Sequence, residues 1–171
     1  MTAAEFILGL VTLQRAGELV LSHFNTRRLL ARGAVEVAPR HYPLMVAVHT
    51  AWLIALWVFG HDQPLNIIAL LLYLVLQLLR LWVMRTLGAR WTTGIIVLPG
   101  QKLVSAGPYR YLSHPNYAVV IGEIAVLPLV LGLPWLAVLF TILNAAVLTI
   151  RIRAENRALA ELREITVRAA S

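Results

Sequence analysis

The stretch that decides the fold is residues 117–150, YAVVIGEIAVLPLVLGLPWLAVLFTILNAAVLTI. It is too long for one membrane span and short for two, because a span takes about 20 apolar residues. Pro128, Gly132 and Pro134 fall together near its middle, where a tight turn between two helices would lie. The stretch therefore predicts a hairpin of two short helices, over about 117–131 and 134–150.

Three further apolar runs precede this stretch, over about 3–21, 43–59 and 64–84. Hydrophobic residues make up 60% of the 171 residues, charged residues only 13%, and the mean hydropathy is +0.77, well above that of soluble domains. The N-terminus lacks the basic region of a cleaved signal peptide, so we expect the first run to be kept as a helix. The sequence predicts a single all-α integral membrane domain over 1–171 with about five transmembrane helices. Because the chain has no cysteine, disulfides and thiol chemistry are excluded.

The basic residues favour five spans over four. Apart from Arg15, they fall in three groups, after the first apolar run, at and after the third, and after the last: Arg27, Arg28, Arg32 and Arg40; Arg80, Arg85, Arg90, Lys102 and Arg110; Arg151, Arg153, Arg157, Arg163 and Arg168. Five spans place all three groups on one side, which the positive-inside rule makes cytoplasmic, with the N-terminus outside and the C-terminus inside. The net charge of +7 is then explained by attraction to anionic membrane lipids, and no nucleic-acid recognition module is visible.

The segment from Arg85 to Asn116 is the longest one between predicted spans. Its alternating Gly, Pro and β-branched residues predict an ordered cytoplasmic loop with a short extended pair. The backbone N–H and C=O groups that such a loop exposes suit a polar cofactor. The segment runs into residues 107–117, GPYRYLSHPNY, which join aromatic and basic side chains to the start of an apolar helix.

Several motifs in the second half of the chain occur together in the order of one known family: Leu103-Val104, Gly107-Pro108-Tyr109, His114-Pro115-Asn116-Tyr117 and Arg151-Ile152-Arg153-Ala154-Glu155. Over about residues 80–162 the chain resembles the isoprenylcysteine carboxyl methyltransferases, integral membrane enzymes that use S-adenosylmethionine. The first half is similar to a bacterial branch, associated with type III polyketide synthases, that O-methylates long-chain alkylpyrones or alkylresorcinols. That likeness rests on three motifs: Gln14-Arg15-x-x-Glu18, Arg32-Gly33-Ala34-x-Glu36 and His41-Tyr42-Pro43.

The resemblance implies that S-adenosylmethionine is the cofactor, bound by about 90–117 and 151–162. It assigns the cofactor site to the following residues: Gln101, Lys102, Leu103, Val104, Tyr109, His114, Pro115, Asn116, Tyr117 and Glu155. It also makes Arg151 a substrate-facing base and, with His114, a catalytic residue. Arg151 and Glu155 are four residues apart in a predicted helix and therefore share one face. Ser113 stands where the family usually has Arg, and Asn156 stands where it usually has Glu.

Ionisable residues inside the predicted spans form a second candidate site. Arg15 and Glu18 lie in the first run and Glu123 in the fourth, and such groups face a polar cavity or one another because they are costly in a membrane. They either bind a substrate head group or pair to fix helix packing. If the acceptor is a neutral hydroxyl, the candidate proton acceptors are His114, Glu123 and Glu18. The other histidines, His23, His41, His49 and His61, lack metal-ligand spacing, so no metal site is expected.

We therefore expect an O-methyltransferase that takes a lipophilic small-molecule acceptor from the bilayer, with an alkylpyrone or alkylresorcinol hydroxyl as the leading acceptor. A prenylated-cysteine carboxylate is the second candidate, and phospholipid N-methylation is a third. The non-enzymatic alternative is a structural or transport protein whose intramembrane charges serve packing or conduction. The expected location is the inner membrane of a bacterium, with the active site facing the cytoplasm.

Overall fold

The described part of the chain contains five α-helices: α1 Ala3–Leu30, α2 Tyr42–Gly60, α3 Ile67–Leu87, α4 Pro115–Val130 and α5 Pro134–Ala170. Two short strands, β1 Val35–Glu36 and β2 Ile96–Val97, and two 3₁₀ turns, Gly88–Arg90 and Gly107–Arg110, lie between them. This computed structural model describes residues 1–37, 42–101 and 104–170, with side chains described except at 158, 159 and 161–170. The predicted all-helical class is confirmed.

Three ranges in the described part of the chain are long and apolar enough to cross a membrane: Tyr42–Gly60, Ile67–Arg90 and Pro134–Arg157. Helix α4 has 16 residues and is therefore about 24 Å long, shorter than a bilayer core of about 30 Å. Helix α1 has 28 residues but carries Arg15 and Glu18 in its middle. Membrane crossing by α1 and α4 stays a prediction.

The hairpin between the last two helices is confirmed. Helix α4 ends at Val130, a three-residue turn follows, and α5 begins at Pro134. Gly132 has a φ of 65°, and the Leu133 N–H donates to the Pro128 carbonyl at 2.8 Å, as in a glycine-terminated helix. Helix α5 does not stop at residue 150, the predicted end of the span, but continues as one helix to Ala170. Arg151 and Glu155 are therefore held on the same helix as the last span.

The connections alternate between two ends of the bundle. At the first, which we call the distal end, Thr2 Oγ1 donates to the His61 carbonyl at 2.5 Å and the Asn66 N–H donates to the Val130 carbonyl at 2.8 Å. The main apolar core includes residues near this end: Ala4, Leu8, Trp52, Leu56, Leu127, Leu131 and Leu136. At the opposite end, which we call the site end, lie the end of α1, the start of α2, the end of α3 and the connector that follows it.

The short extended pair differs from the one predicted within the connector. Strand β2 pairs antiparallel with β1, which precedes α2, in the register Val35 to Val97 and Glu36 to Ile96. The end of α1 lies beside the connector, where Asn25 donates to the Trp91 carbonyl at 2.8 Å, so β1 is within reach of β2. The pair therefore ties two connectors together at the site end.

Candidate active site

Two adjoining cavities occupy the site end. The first, the bundle cavity, has a volume of about 330 Å³ and lies among all five helices and residues 91–93. The second, the connector cavity, has a volume of about 270 Å³ and is lined mainly by the connector after α3, with α4 and α5. Five residues line both, and we call them the shared wall: Trp91, Thr92, Asn116, Tyr117 and Arg151. Molecules bound in the two cavities would therefore lie against the same five residues.

Tyr117 is the centre of the shared wall. Its hydroxyl donates to the Glu155 carboxylate and accepts from Arg151 Nε at 2.8 Å. The Arg151 guanidinium carbon also lies 5.4 Å from the centre of the Tyr117 ring, within cation–π range. The Arg151 side chain is buried, with Nη1 3.2 Å from the Met45 sulfur. Two neighbouring turns of α5 thus fix one tyrosine at the start of α4.

His114 and Asn116 present polar atoms to the connector cavity. The His114 ring stacks on Tyr117 with centroids 5.3 Å apart, and its Nδ1 lies 3.7 Å from Glu155 Oε2. Asn116 Oδ1 and Trp91 Nε1 are buried and have no hydrogen-bond partner in the described structure. An unpaired buried acceptor and an unpaired buried donor are costly, so both atoms fit a ligand that offers the matching groups.

The remaining predicted cofactor residues divide into three sets. Gln101, Val104 and Tyr109 line the connector cavity. Pro115 is buried as the first residue of α4, where its ring favours helix initiation, and lines neither cavity. Lys102 and Leu103 lie outside the described residues. Burial, with the nearby Glu155 charge, raises the pKa of Tyr109 to about 12, so its phenol stays neutral at physiological pH.

The charged residues predicted to lie within spans form one network of two arginines and two glutamates. Arg15 contacts Glu18 and Glu123, each at 2.8 Å. Arg80 donates to Glu123 from Nε at 2.6 Å and from Nη2, and to Glu18 at 3.1 Å. The amides of Gln14 and Gln77 donate to Glu18 and Glu123 at 2.9 and 2.8 Å. Arg15, Glu18 and Arg80 line the bundle cavity, whereas Glu123 is buried behind them with 1% exposure.

The part of the chain that matches a known protein family includes most of the candidate site. Residues 68–161 match the isoprenylcysteine carboxyl methyltransferase family, a range that contains the whole shared wall, His114, Glu123 and Glu155. The chain belongs to this family. Members of this family are membrane methyltransferases. The three long apolar helices agree with a membrane protein. The roles of individual site residues stay predictions.

Relatives extend the similarity to the N-terminal half. An uncharacterized protein of Bacillus subtilis (strain 168), YpbQ, is 40% identical over 162 residues, which cover 91% of this chain and 95% of that protein. An uncharacterized protein of Haemophilus influenzae is 26% identical over 152 residues, covering 84% of this chain and 87% of the relative. No solved structure matches the chain.

The sequence did not predict several of the residues that line the bundle cavity. The charge pattern predicts that Arg80 is one of the basic residues that flank spans, but its side chain is buried and contacts Glu18 and Glu123. The sequence gives His49 no role, because the histidines lack metal-ligand spacing, yet it lines the bundle cavity. Tyr42 and Thr93 also line it, joined by a 2.9 Å hydrogen bond. Only the position of Arg80 within an apolar run could have signalled a buried role.

Proposed function

We propose that this protein transfers a methyl group from S-adenosylmethionine, held in the connector cavity, to a hydroxyl of a lipophilic acceptor, held in the bundle cavity. The observation that carries the proposal is the shared wall. Two ligand-sized cavities meet at Asn116, Tyr117 and Arg151, and methyl transfer needs two reactants aligned across a short gap.

The connector cavity suits the cofactor chemically. Glu155 offers a carboxylate for hydroxyl or amino groups, Asn116 Oδ1 is a free buried acceptor, and Trp91 Nε1 is a free buried donor. The rings of Tyr109, His114 and Tyr117 line the same space and suit a cation or a flat base. When bound, S-adenosylmethionine supplies an electrophilic methyl group. The residues of this chain bind it, orient it and exclude water.

The bundle cavity suits an acceptor with a polar head and an apolar chain. Leu53, Val147 and Leu148 offer apolar walls, while Arg15 and Arg151 offer cations. Arg151 would orient the acceptor oxygen beside the shared wall. We favour an alkylpyrone or alkylresorcinol hydroxyl as the acceptor, and we expect it to enter from the bilayer. The cytoplasmic side, in a bacterial inner membrane, is the proposed location of the site end.

Cofactor binding is tested by titrating S-adenosylmethionine into the purified protein and measuring heat. We expect saturable binding that weakens at least tenfold in Glu155→Ala, because the carboxylate that faces the cofactor is lost. Asp62→Ala is the matched control, since it removes an exposed carboxylate beyond the end of α2. Absence of saturable binding, or equal affinity in both variants, would rule out this cofactor site.

The acceptor is identified by incubating membranes with S-adenosylmethionine carrying a labelled methyl group and analysing the extracted lipids. A labelled alkylpyrone or alkylresorcinol ether supports the proposal. Label in a prenylated-cysteine ester or in a phospholipid amine would replace the acceptor named here. Arg151→Ala should lose the labelled product while it still binds the cofactor, and an unchanged rate would contradict its role.

A further inference from the structure

His49 presents an unpaired nitrogen to the bundle cavity. It lies on α2, and its Nδ1 is 2.8 Å from the carbonyl oxygen of Met45, one helical turn earlier. A carbonyl only accepts, so Nδ1 carries the proton and donates it to Met45. The neutral ring then has a lone pair on Nε2. No side chain or backbone group in the described structure donates to that nitrogen.

His49 is also close to the shared wall along its own helix. Met45 contacts both the imidazole, through its carbonyl, and Arg151, through its sulfur at 3.2 Å. One helical turn rises about 5.4 Å. His49 is therefore about one helical turn further along α2 than Met45, the residue that contacts Arg151.

The other titratable and charged groups at this cavity are already engaged. Glu18 accepts from both arginines of the network, and so does Glu123 behind it. His114 and Glu155 line the connector cavity and not the bundle cavity. Within the described residues, the titratable and charged groups that line the bundle cavity with His49 are the following: Arg15 and Glu18 on α1, Tyr42 on α2, Arg80 on α3, Tyr117 on α4 and Arg151 on α5.

None of these groups is a suitable base. Arginines stay protonated, and Tyr42 and Tyr117 are phenols hydrogen-bonded to Thr93 and to the Arg151–Glu155 pair. Among the described groups of the bundle cavity, His49 is the one with a free basic nitrogen. The three proton acceptors expected from the sequence, His114, Glu123 and Glu18, are each placed elsewhere or paired.

We propose that His49 is a catalytic base that takes the proton of the acceptor hydroxyl, an inference that rests on the proposed function. The acceptor oxygen forms its bond to the methyl carbon as the carbon–sulfur bond breaks, with the electron pair left on sulfur. The hydroxyl proton passes to His49 Nε2, and the imidazolium later releases it to water.

The role of His49 also specifies the class of acceptor. A carboxylate, with a pKa of about 4, is already ionised at neutral pH and needs no base. A phenol with a pKa of about 10 is neutral there and must lose its proton during transfer. A base at this position therefore fits a phenol hydroxyl that is neutral at physiological pH, and an acceptor that is already ionised, such as a carboxylate, would not use it.

The test compares two acceptors in wild-type protein and in His49→Gln. One is a 5-alkylresorcinol, neutral at pH 8, and the other is a 4-alkyl-2-nitrophenol, largely ionised at pH 8. We expect His49→Gln to slow methylation of the resorcinol by about 10²- to 10⁴-fold, the usual contribution of a general base. Methylation of the nitrophenolate should fall by less than about threefold, because that acceptor brings no proton to remove. His61→Gln, which changes an exposed histidine in the turn after α2, should leave both rates unchanged.

A second measurement needs neither cofactor nor turnover. The nitrophenol absorbs visible light when ionised, so its absorbance in the bundle cavity reports the ionised fraction directly. We expect the bound nitrophenol to ionise at a higher pH in His49→Gln than in wild type, because its proton acceptor is gone. Superimposable titration curves would overturn the proposed contact.

The outcomes separate the two proposals. Equal loss of rate on both acceptors in His49→Gln would mean that His49 only supports the structure, and the catalytic role would be overturned while the methyltransferase function stands. Wild-type protein that methylates neither acceptor would overturn the proposed function and the role of His49 with it. Selective loss on the resorcinol, with normal cofactor affinity, would support both.

Discussion

Arg80 is the residue whose surroundings differ most from the sequence expectation. It lies in an apolar run, 3% exposed, and contacts a glutamate from α1 and another from α4. Each glutamate is in turn paired with Arg15. Four charges from three helices therefore neutralise one another inside the bundle, so removal of any one leaves an uncompensated charge in a poorly solvated place.

Arg80→Met should lower the free energy of unfolding by roughly 3 to 5 kcal/mol, the usual effect of breaking a buried ion pair from one side. Thermal or denaturant unfolding in detergent, followed by tryptophan fluorescence, measures this. Arg85→Met is the matched control, because Arg85 is exposed on the last turn of α3, and its change should stay within about 0.5 kcal/mol. The double variant Arg80→Met with Glu123→Met should recover most of the loss, and an equally unstable double variant would argue against the pairing.

Individual site residues were predictable to different degrees. Arg151 and Glu155 are one helical turn apart, so their shared helix face could be anticipated. Their contact with Tyr117, 34 and 38 residues earlier, depends on the packing of α4 against α5. The contacts of Arg80 and His49 depend on which helices become neighbours, and single-helix patterns do not contain that information. Glu18 illustrates both cases, since its pairing with Arg15 at 2.8 Å follows from spacing and its contact with Arg80 does not.

At the scale of elements, the helix boundaries depart from hydropathy where polar side chains find partners. The first apolar run ends near Leu21, but α1 continues to Leu30. Ser22 and Asn25 are buried there, and they bond to Thr93 and to the Trp91 carbonyl, each at 2.8 Å. Hydropathy could not predict this extension, because hydrogen bonds to a distant connector, and not apolar burial alone, hold the last turns of α1.

The 3₁₀ turn that starts at Gly107 depends on glycine for two reasons. Its φ is 56°, a region that other residues avoid, and a Cβ there would lie 2.5 Å from Thr86 Oγ1 and 3.2 Å from Trp82 Nε1. Thr86 is β-branched and its hydroxyl donates to the Trp82 carbonyl at 2.8 Å, so it cannot easily move away. The turn that carries Tyr109 therefore packs directly against α3.

Gly107→Ala should destabilise the protein by roughly 2 to 4 kcal/mol, from backbone strain and overpacking together, and should weaken cofactor binding by displacing Tyr109. Gly100→Ala separates the effect of backbone strain from the effect of overpacking. Gly100 has a φ of 74°, but a Cβ there meets no described atom within 4 Å, so we expect a loss of only about 1 to 2 kcal/mol. Chemical denaturation measures both variants, and equal losses would show that contact with Thr86 is unimportant.

At the scale of the whole molecule, the alternation of connections between two ends agrees with a bundle whose N-terminus and C-terminal basic segment lie on opposite sides. Thr2, His61 and the α4–α5 turn share the distal end, whereas β1, β2 and Arg151 belong to the site end. Charge and hydropathy predicted the hairpin and the helical class, because both are properties of single segments. The arrangement of two cavities around one wall is a property of the packed bundle and was not predictable in that way.

The orientation is tested with single cysteines, since the wild-type chain contains none. Asp62→Cys and Trp135→Cys, both exposed near the distal end, should react with a membrane-impermeant maleimide in intact cells. Arg32→Cys, exposed after α1, should react only once the membrane is opened, because the positive-inside rule places it in the cytoplasm. The reverse pattern would invert the orientation, and labelling of Trp135→Cys only in opened cells would show that α4 and α5 do not cross.

The pairing of β1 with β2 has a consequence for biosynthesis. Glu36 leaves the ribosome about 60 residues before its partner Ile96, a delay of roughly 3 to 12 s at ordinary translation rates. During that interval β1 has no strand to pair with. The unpaired backbone groups of an open strand edge can pair with a strand of another molecule. Glu155 is made later still, so a nascent chain can assemble half of its bundle before either cavity is closed.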